Sequence, residues 1–276
     1  MTTHAATVHR ALVLARGAGT RMRAPEDLAS LSAAQQQAAA AGHKALMPIG
    51  ERPFLDFVLK ALTDAGITEV GLVVAPDHQA MRAAYPDDRG PGGVPLSWLV
   101  QAEPKGTANA VLAARAWASD AGFLVMNGDN LYPVPALQAL MSLNGPGLAG
   151  FDRASLVATG NIPADRVAAF ALLNVDAEGR LRQILEKPDI AEIERAGEHA
   201  LISMNLWRFD ARIFDACRDV APSLRGEHEL PSAVMGAVAA GAAFTVVPAL
   251  GPVLDLSSRG DVAEVTRRLL SAVPTA

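Results

Sequence analysis

The apolar run Ala11–Leu14 passes without a break into Ala15-Arg16-Gly17-Ala18-Gly19-Thr20-Arg21-Met22. A short strand opening onto such a turn restricts the fold more than any other stretch, because it asks for a strand whose carboxyl end faces a small anion. Gly17 and Gly19 lack a Cβ, so the backbone turns sharply there and brings its N–H groups against the ligand. Arg21 adds a planar fork of permanent positive charge that matches phosphoryl oxygens. Glycines end strands in many proteins, and the turn alone would serve as a plain strand-to-helix junction. What narrows it is the series that follows in order: Lys44, Gln101, Asp129, Glu186-Lys187 and Asp255.

Short apolar runs alternate with helix-patterned segments. Ala11–Leu14, Val70–Val74, Ser97–Val100 and Phe123–Met126 read as strands, while Pro53–Ala65 and Thr107–Ala118 carry apolar residues at helical spacing. The alternation predicts an α/β fold of three layers, α/β/α, around a Rossmann-like, mostly parallel mixed sheet. In such sheets ligands bind beyond the carboxyl ends of the strands, and the glycine turn and Asp129 both fall there. Later, Phe170–Val175, the turn Asp176-Ala177-Glu178-Gly179 and Leu181–Leu185 read as a hairpin. Leu201–Phe209 and Ala243–Val247 read as strands, and Ala211–Cys217 and Leu230–Ala240 as helices. Arg23–His43 is Ala- and Gln-rich and predicts a helix starting near Pro25-Glu26-Asp27 and stopping at Gly42. Asp87–Pro95 is a Pro/Gly-rich loop.

Composition removes several classes of function. With 50% hydrophobic and 19% charged residues, the chain is globular in composition, not disordered. A formal net charge of −5 gives no support to a nucleic-acid partner and suits small anionic ligands better. Cys217 is the only cysteine, which excludes an intrachain disulfide and a cysteine-rich zinc site and leaves it as a small apolar residue on a helix. None of the histidines has a partner at metal-ligand spacing. Gly236–Leu254 is uncharged, but it is rich in Gly and Ala and interrupted by Pro248 and Pro252, so no membrane contact is expected. Met1–Arg10 shows no secretory pattern, and a cytoplasmic protein is expected.

Leu14–Met22 resembles the Leu-Ala-x-Gly-x-Gly-Thr-Arg-Met signature of the sugar-1-phosphate nucleotidylyltransferases, the NDP-sugar pyrophosphorylases of the nucleotidyl transferase family. His43–Gly50 with Arg52-Pro53-Phe54-Leu55 resembles the family's Lys-Pro-Leu block, Gln101–Ala108 its base-reading segment, and Asn127-Gly128-Asp129-Asn130 its metal-binding Gly-Asp. Glu186-Lys187-Pro188, Asn205 and Asp255 match the sugar-phosphate side and the second metal carboxylate. The resemblance implies a GT-A-like nucleotidyltransferase fold in one domain, 1–276, with a nucleotide-binding part over roughly 11–135 and a sugar-phosphate part over 136–276. It assigns Leu14, Ala15, Gly17, Gly19, Thr20, Gln101, Gly106 and Thr107 to the nucleotide. Arg21, Lys44 and Lys187 become the catalytic cations, Glu186, Lys187 and Asn205 the sugar-phosphate contacts, and Asp129 and Asp255 the ligands of Mg2+. The implied partners are a nucleoside triphosphate, UTP or dTTP favoured, and a sugar 1-phosphate; a homo-oligomer stays open. Trp98–Glu103 followed by Gly106-Thr107-Ala108 is most similar to the uridylyltransferases for N-acetylglucosamine 1-phosphate.

The chemistry stands beside that likeness. A sugar 1-phosphate is already an anionic nucleophile, so the obstacle is bringing two anions together and stabilising charge during in-line displacement of pyrophosphate. That calls for cations on both substrates and hard oxygen ligands for a metal. Bland roles compete at each position: Asp129 as turn chemistry, Asp255 as a helix cap, Lys44 as a solvated lysine, Glu186 as a partner of Lys187, and Glu227 and Glu229 as a solvated face. Three departures stand out. Arg16 occupies a position held by Gly or Ala in many relatives, and is either an extra phosphate ligand or turned outward. The Arg21-to-Lys44 interval is long, and Phe170-Ala171-Leu172 replaces an aromatic-Gly-Val. Cytidylyl or guanylyl transfer to a non-hexose phosphate, and a catalytically silent nucleotide-sugar sensor on the same fold, are the alternatives.

Overall fold

The computed structural model describes residues 8–17, 19–24, 31–118 and 122–271. A nine-stranded sheet organises them. Its strands are β1 (Arg10–Leu14), β2 (Glu69–Val74), β3 (Leu96–Val100), β4 (Phe123–Asn127), β5 (Gly147–Asp152), β6 (Leu172–Val175), β7 (Leu181–Leu185), β8 (Leu201–Phe209) and β9 (Thr245–Ala249). The order β4-β1-β2-β3 is parallel throughout. β8 runs antiparallel to β4, β5 and β6, β9 runs parallel to β5, and β7 closes the hairpin with β6. Only β7 and β8 therefore oppose the common direction, and the predicted mostly parallel mixed sheet is what forms.

Period-two alternation decides which helix covers which face. Ala11 and Val13 of β1 and Leu124 and Met126 of β4 point into one apolar cluster, with helices Phe54–Ala65, Val134–Met141 and Arg259–Ser271. Leu12, Phe123 and Val125 point into the other, with helices Thr107–Leu112, Ile213–Asp219 and Leu230–Ala239. Each fully buried Leu or Phe contributes about 1.5–3 kcal/mol of transfer free energy, so both faces hold the sheet strongly. Cys217 is buried in the second cluster, and burial pushes its thiol up to about 12.

The feature that matters most for a site is a fork. β8 keeps β5 along one flank, from Leu201 opposite Asp152 to Arg208 opposite Gly147. Its other flank is divided: Ile202 pairs with Leu172 of β6, whereas Trp207–Phe209 pair with Val125–Phe123 of β4. The sheet thus splits between β4 and β6, and the register with β5 shifts at the same place, between Ser203 and Trp207.

Several expectations are adjusted. The predicted helix Thr107–Ala118 is two pieces, Thr107–Leu112 and Arg115–Ala118, because Ala113 and Ala114 make i→i−3 bonds that tighten one turn. The Ala/Gln-rich stretch contributes a helix, Ala33–Ala41, begun by a capping box between Ser32 and Gln35 and stopped at Gly42 as expected. Pro25-Glu26-Asp27 lies outside the described residues. The last strand sits two residues later than expected, at Thr245–Ala249, and β5 was not anticipated at all, since two glycines interrupt its apolar pattern.

Candidate active site

The glycine turn lies where β1 leaves the sheet, locked to both neighbours: Ala15 N–H donates to Val73 O at 2.9 Å and Gly128 N–H to Leu14 O at 3.0 Å. Gly19 adopts the left-handed region, φ 61°, and a Cβ built there would stand 2.4 Å from the carbonyl oxygen of Gly42. Glycine is required at Gly19 on both counts. Gly17 has neither constraint, with open space where a side chain would go; Ala18, between them, lies outside the described residues. Helix Thr20–Arg23 follows, anchored by the buried Met22 and by Arg259 Nε, which donates to Met22 O. Thr20 and Arg21 are exposed, and Arg21 has no side-chain partner among the described residues.

The long interval after Arg21 ends against the same turn. Arg23 Nη2 donates to Ala41 O and Gln35 Nε2 to Pro48 O, while Ala39 is the helix's one fully covered residue. Gly42 presses on Gly19, and two residues later Lys44 begins a 3₁₀ turn. Lys44 Nζ reaches Asp129 Oδ2 at 2.9 Å.

Asp129 lies just beyond β4, and a two-residue bridge fixes its partner. Asn130–Leu131 pairs antiparallel with Leu254–Asp255, and Leu256 N–H donates to Asp129 O at 2.9 Å. The backbone of Asp255 is held on both sides by Asn161. Its carboxylate accepts from Asn130 Nδ2 at 2.9 Å and from Ser257 Oγ at 2.7 Å, and Arg166 Nη2 lies 3.2 Å away. Burial and then the charge of Asp129 raise its pKa. Asp261, the other carboxylate on Arg166, is spent on the Ser257 and Ser258 amides. Among the described residues no three His, Cys, Asp or Glu side chains converge into a metal cage. A cation here would have two protein carboxylates and take its other ligands from substrate or water, which is how Mg2+ is commonly held.

Beyond β3 the chain turns through Gln101–Gly106. Gln101 is 5% exposed, and its Nε2 donates to Gly106 O and Asn109 Oδ1. A carbonyl can only accept, so the amide orientation is fixed, and Oε1 has no partner among the described residues. Gly106, at φ 99°, presses on the backbone of His228, 2.5 Å from its oxygen at a built Cβ, and its own N–H donates to none of the described residues. Thr107 Oγ1 accepts from Leu230 N–H and so joins this turn to the next helix. Arg16 is half-buried and turned toward the exit of β3. Its Nε donates to Gln101 O at 2.8 Å and its Nη2 to Ala102 O at 3.4 Å.

The sugar-side residues gather at the fork. Leu185, Leu172 and Ile202 form one row across β7, β6 and β8, and Lys187 and Asn205 follow just past it. Both hold left-handed backbone, φ 50° and 56°, which is uncommon for residues other than glycine. Continuing the Val125–Trp207 register would set Asn127 opposite Asn205. Tyr132 Oη donates to Met204 O at 2.6 Å and pins β8 here. Glu186 is raised by desolvation and then by the charge of Glu229, which is paired with Arg225 at 2.8 Å. The methyl of Ala171 is buried with Leu173 and Leu181.

A glycine turn, Lys44 and a carboxylate pair thus lie on one side of a fork in the sheet, and Lys187 and Asn205 on the other. The chain matches the family described as Nucleotidyl transferase over residues 10–251. It belongs to that family. Members similar to it include a glucose-1-phosphate thymidylyltransferase of Streptomyces antibioticus, 29% identical over 272 residues that cover 95% of this chain and 66% of the relative. The low-salt glycan biosynthesis nucleotidyltransferase Agl11 of Haloferax volcanii is 28% identical over 83% of this chain and 60% of its own length. The chain thus spans under two thirds of the length of those relatives. The UTP–glucose-1-phosphate uridylyltransferase AglF of Haloferax volcanii is 27% identical, over 94% of this chain and 96% of the relative. Solved nucleotidyltransferase structures share the fold: UDP-glucose pyrophosphorylase complexed with UDP-glucose has a TM-score of 0.73 at 16% identity, covering 96% of this chain and 100% of that one. UTP-bound UGPase from Acinetobacter baumannii gives 0.73 at 15%, over 97% and 95%.

Sequence reasoning missed four neighbours of the family residues. Asn130 and Ser257 hold Asp255 and carry no signal beyond adjacency to it. Arg166 comes from a short surface-like helix, Ala164–Ala168, nearly ninety positions away in the chain. Arg225 precedes the noted Glu227 and Glu229 and bonds the latter. Among the described residues no helix is long and apolar enough to cross a membrane.

Proposed function

We propose that this chain joins a nucleoside triphosphate and a sugar 1-phosphate into an NDP-sugar, releasing pyrophosphate. The observation that carries this is the fork: Lys44, Asp129 and Asp255 lie at the ends of the parallel strands, and Lys187 and Asn205 lie across the gap between β4 and β6. In the reaction, a phosphate oxygen of the sugar 1-phosphate attacks the α-phosphorus, the bond to the β-phosphate oxygen breaks, and pyrophosphate leaves with that electron pair. Arg21 and Lys44 draw the triphosphate into the glycine turn, and Lys187 offsets the charge of the incoming phosphate. Asp129 and Asp255 would hold Mg2+, which supplies charge neutralisation at the phosphoryl oxygens. Glu186, with the charge of Glu229 acting on it, is assigned to the sugar hydroxyls.

The free groups of the base-side turn favour an imide-type edge, which UTP and dTTP carry, over that of cytosine. Gln101 Oε1 accepts and Gly106 N–H donates. That pair complements the N3–H and C4 carbonyl of uracil or thymine, whereas cytosine presents the opposite pattern at both atoms. A cytidylyl reading is disfavoured on that ground. Pyrophosphate release, screened with the common nucleoside triphosphates against a panel of sugar 1-phosphates with Mg2+, tests the proposal. Turnover confined to UTP or dTTP with a hexose 1-phosphate is expected. Binding of nucleotide sugars without release from any pair would replace it with the silent sensor.

A further inference from the structure

Arg16 has a position that the family pattern does not explain. β1 and β3 are not neighbours; β2 lies between them. The backbone beyond both strands is hung on β2, with Ala15 N–H on Val73 O and Gln101 N–H on Val74 O. Arg16 then throws its side chain across the end of β2 and grips two successive carbonyls, Gln101 O and Ala102 O. From the other side, Gly106 O and Asn109 hold the Gln101 side chain. Gln101 is consequently fixed through both its backbone and its amide. In the functional reading above, the nucleoside lies between the glycine turn and the Gln101–Gly106 pair.

We propose that Arg16 is a positioning residue that sets base selectivity: it straps the β1 exit to the β3 exit and holds the Gln101 acceptor and the Gly106 donor at the spacing a pyrimidine imide edge requires. The inference rests on the functional reading of this same site. A guanidinium is suited to the task because its Nε and Nη donors lie in one rigid plane and can serve adjacent carbonyls together, which a single ammonium cannot do. A solvated arginine would form neither bond, and the two carbonyls engage two of the five guanidinium donors.

The test compares wild type with Arg16→Ala and Arg16→Lys. With sugar 1-phosphate saturating, Arg16→Ala should raise KM for the preferred triphosphate about tenfold with kcat within about twofold, because the lost bonds position the base and not the transferring group. KM for the sugar 1-phosphate should not move, and the preference for UTP or dTTP over CTP should shrink about tenfold. Arg16→Lys should restore less than half of the lost preference. Amide hydrogen exchange over residues 101–107 of the nucleotide-free protein should quicken in Arg16→Ala, which a phosphate-ligand role would not produce. Unchanged KM and base preference, or a fall in kcat alone, would overturn the proposal. If Arg16→Ala does not fold, Arg16→Lys and Arg16→Gln carry the same comparison. Should wild type turn over no pair at all, the functional reading fails, and the strap is still decided by exchange and by calorimetric binding of UTP against CTP.

Discussion

Lys44 Nζ sits 2.9 Å from Asp129 Oδ2, so the chain's own ammonium occupies the carboxylate assigned to the metal. Lysine and a divalent cation then compete for one oxygen pair until a triphosphate draws the lysine away. Lys44→Ala should therefore bind Mn2+ about threefold or more tightly in the absence of nucleotide, since a positive charge is removed at close range. The same variant should lose about a hundredfold in kcat with UTP or dTTP. Mn2+ titration followed by electron paramagnetic resonance separates the effects, and unchanged Mn2+ affinity would remove the competition.

Gly19 and Gly42 allow no Cβ between them. Gly19→Ala combines that collision with left-handed backbone, and should cost about 1–3 kcal/mol of stability. Urea unfolding would register it as a lower midpoint at unchanged slope. Gly17→Ala, which meets open space, should unfold like wild type; any loss of activity there would report ligand approach alone.

At the fork, Asn205 combines a left-handed backbone with a polar side chain, and two substitutions separate the two properties. Asn205→Gly relieves the backbone and should keep the thermal midpoint, yet raise KM for the sugar 1-phosphate by about tenfold. Asn205→Ala should lose about 1 kcal/mol of stability as well. A fully active Asn205→Gly would reduce this residue to a backbone role.

His199 Nδ1 lies 2.8 Å from Asp152 Oδ2, and that hydrogen bond, then the carboxylate's charge, raises the imidazole pKa. Desolvation pushes Asp152 up, but the Ser155 amide and His199 outweigh it and leave the carboxyl below its usual range. The histidine contribution to stability is thus fully present below about 6.5 and is lost as pH rises through the raised folded value. The aspartate contribution is present above its unfolded value and is lost as pH falls through the depressed one. Thermal midpoints should decline from pH 6 toward pH 8 more in wild type than in His199→Gln. Equal slopes would show that the pair is thermodynamically idle.

Much of this architecture could be read from the chain because its signals are local. β1 to β4 are short apolar runs punctuated by turn residues, and the hairpin β6–β7 declares itself through Asp176 and Gly179. The glycine turn, Gln101, Asp129 and Lys187 also follow strand ends, where the topology of the sheet sets their places. What escaped was non-local. β5 carries two glycines that break its pattern, and its strand status comes from pairing with β8 and β9. Arg166 reaches Asp255 from a helix far along the chain, and no spacing rule encodes that meeting. Arg16 was visible as an oddity, but its partners are backbone carbonyls, which have no signature in a sequence.

The divided flank of β8 has an evolutionary consequence. One half of that strand is tied to the parallel strands through β4, and the other half to the hairpin through β6. Within the sheet ladder, β6 and β7 reach the parallel strands only through this one strand. A lineage can therefore vary the hairpin while inheriting the parallel ladder intact, and the strand that joins them is where the two histories constrain each other.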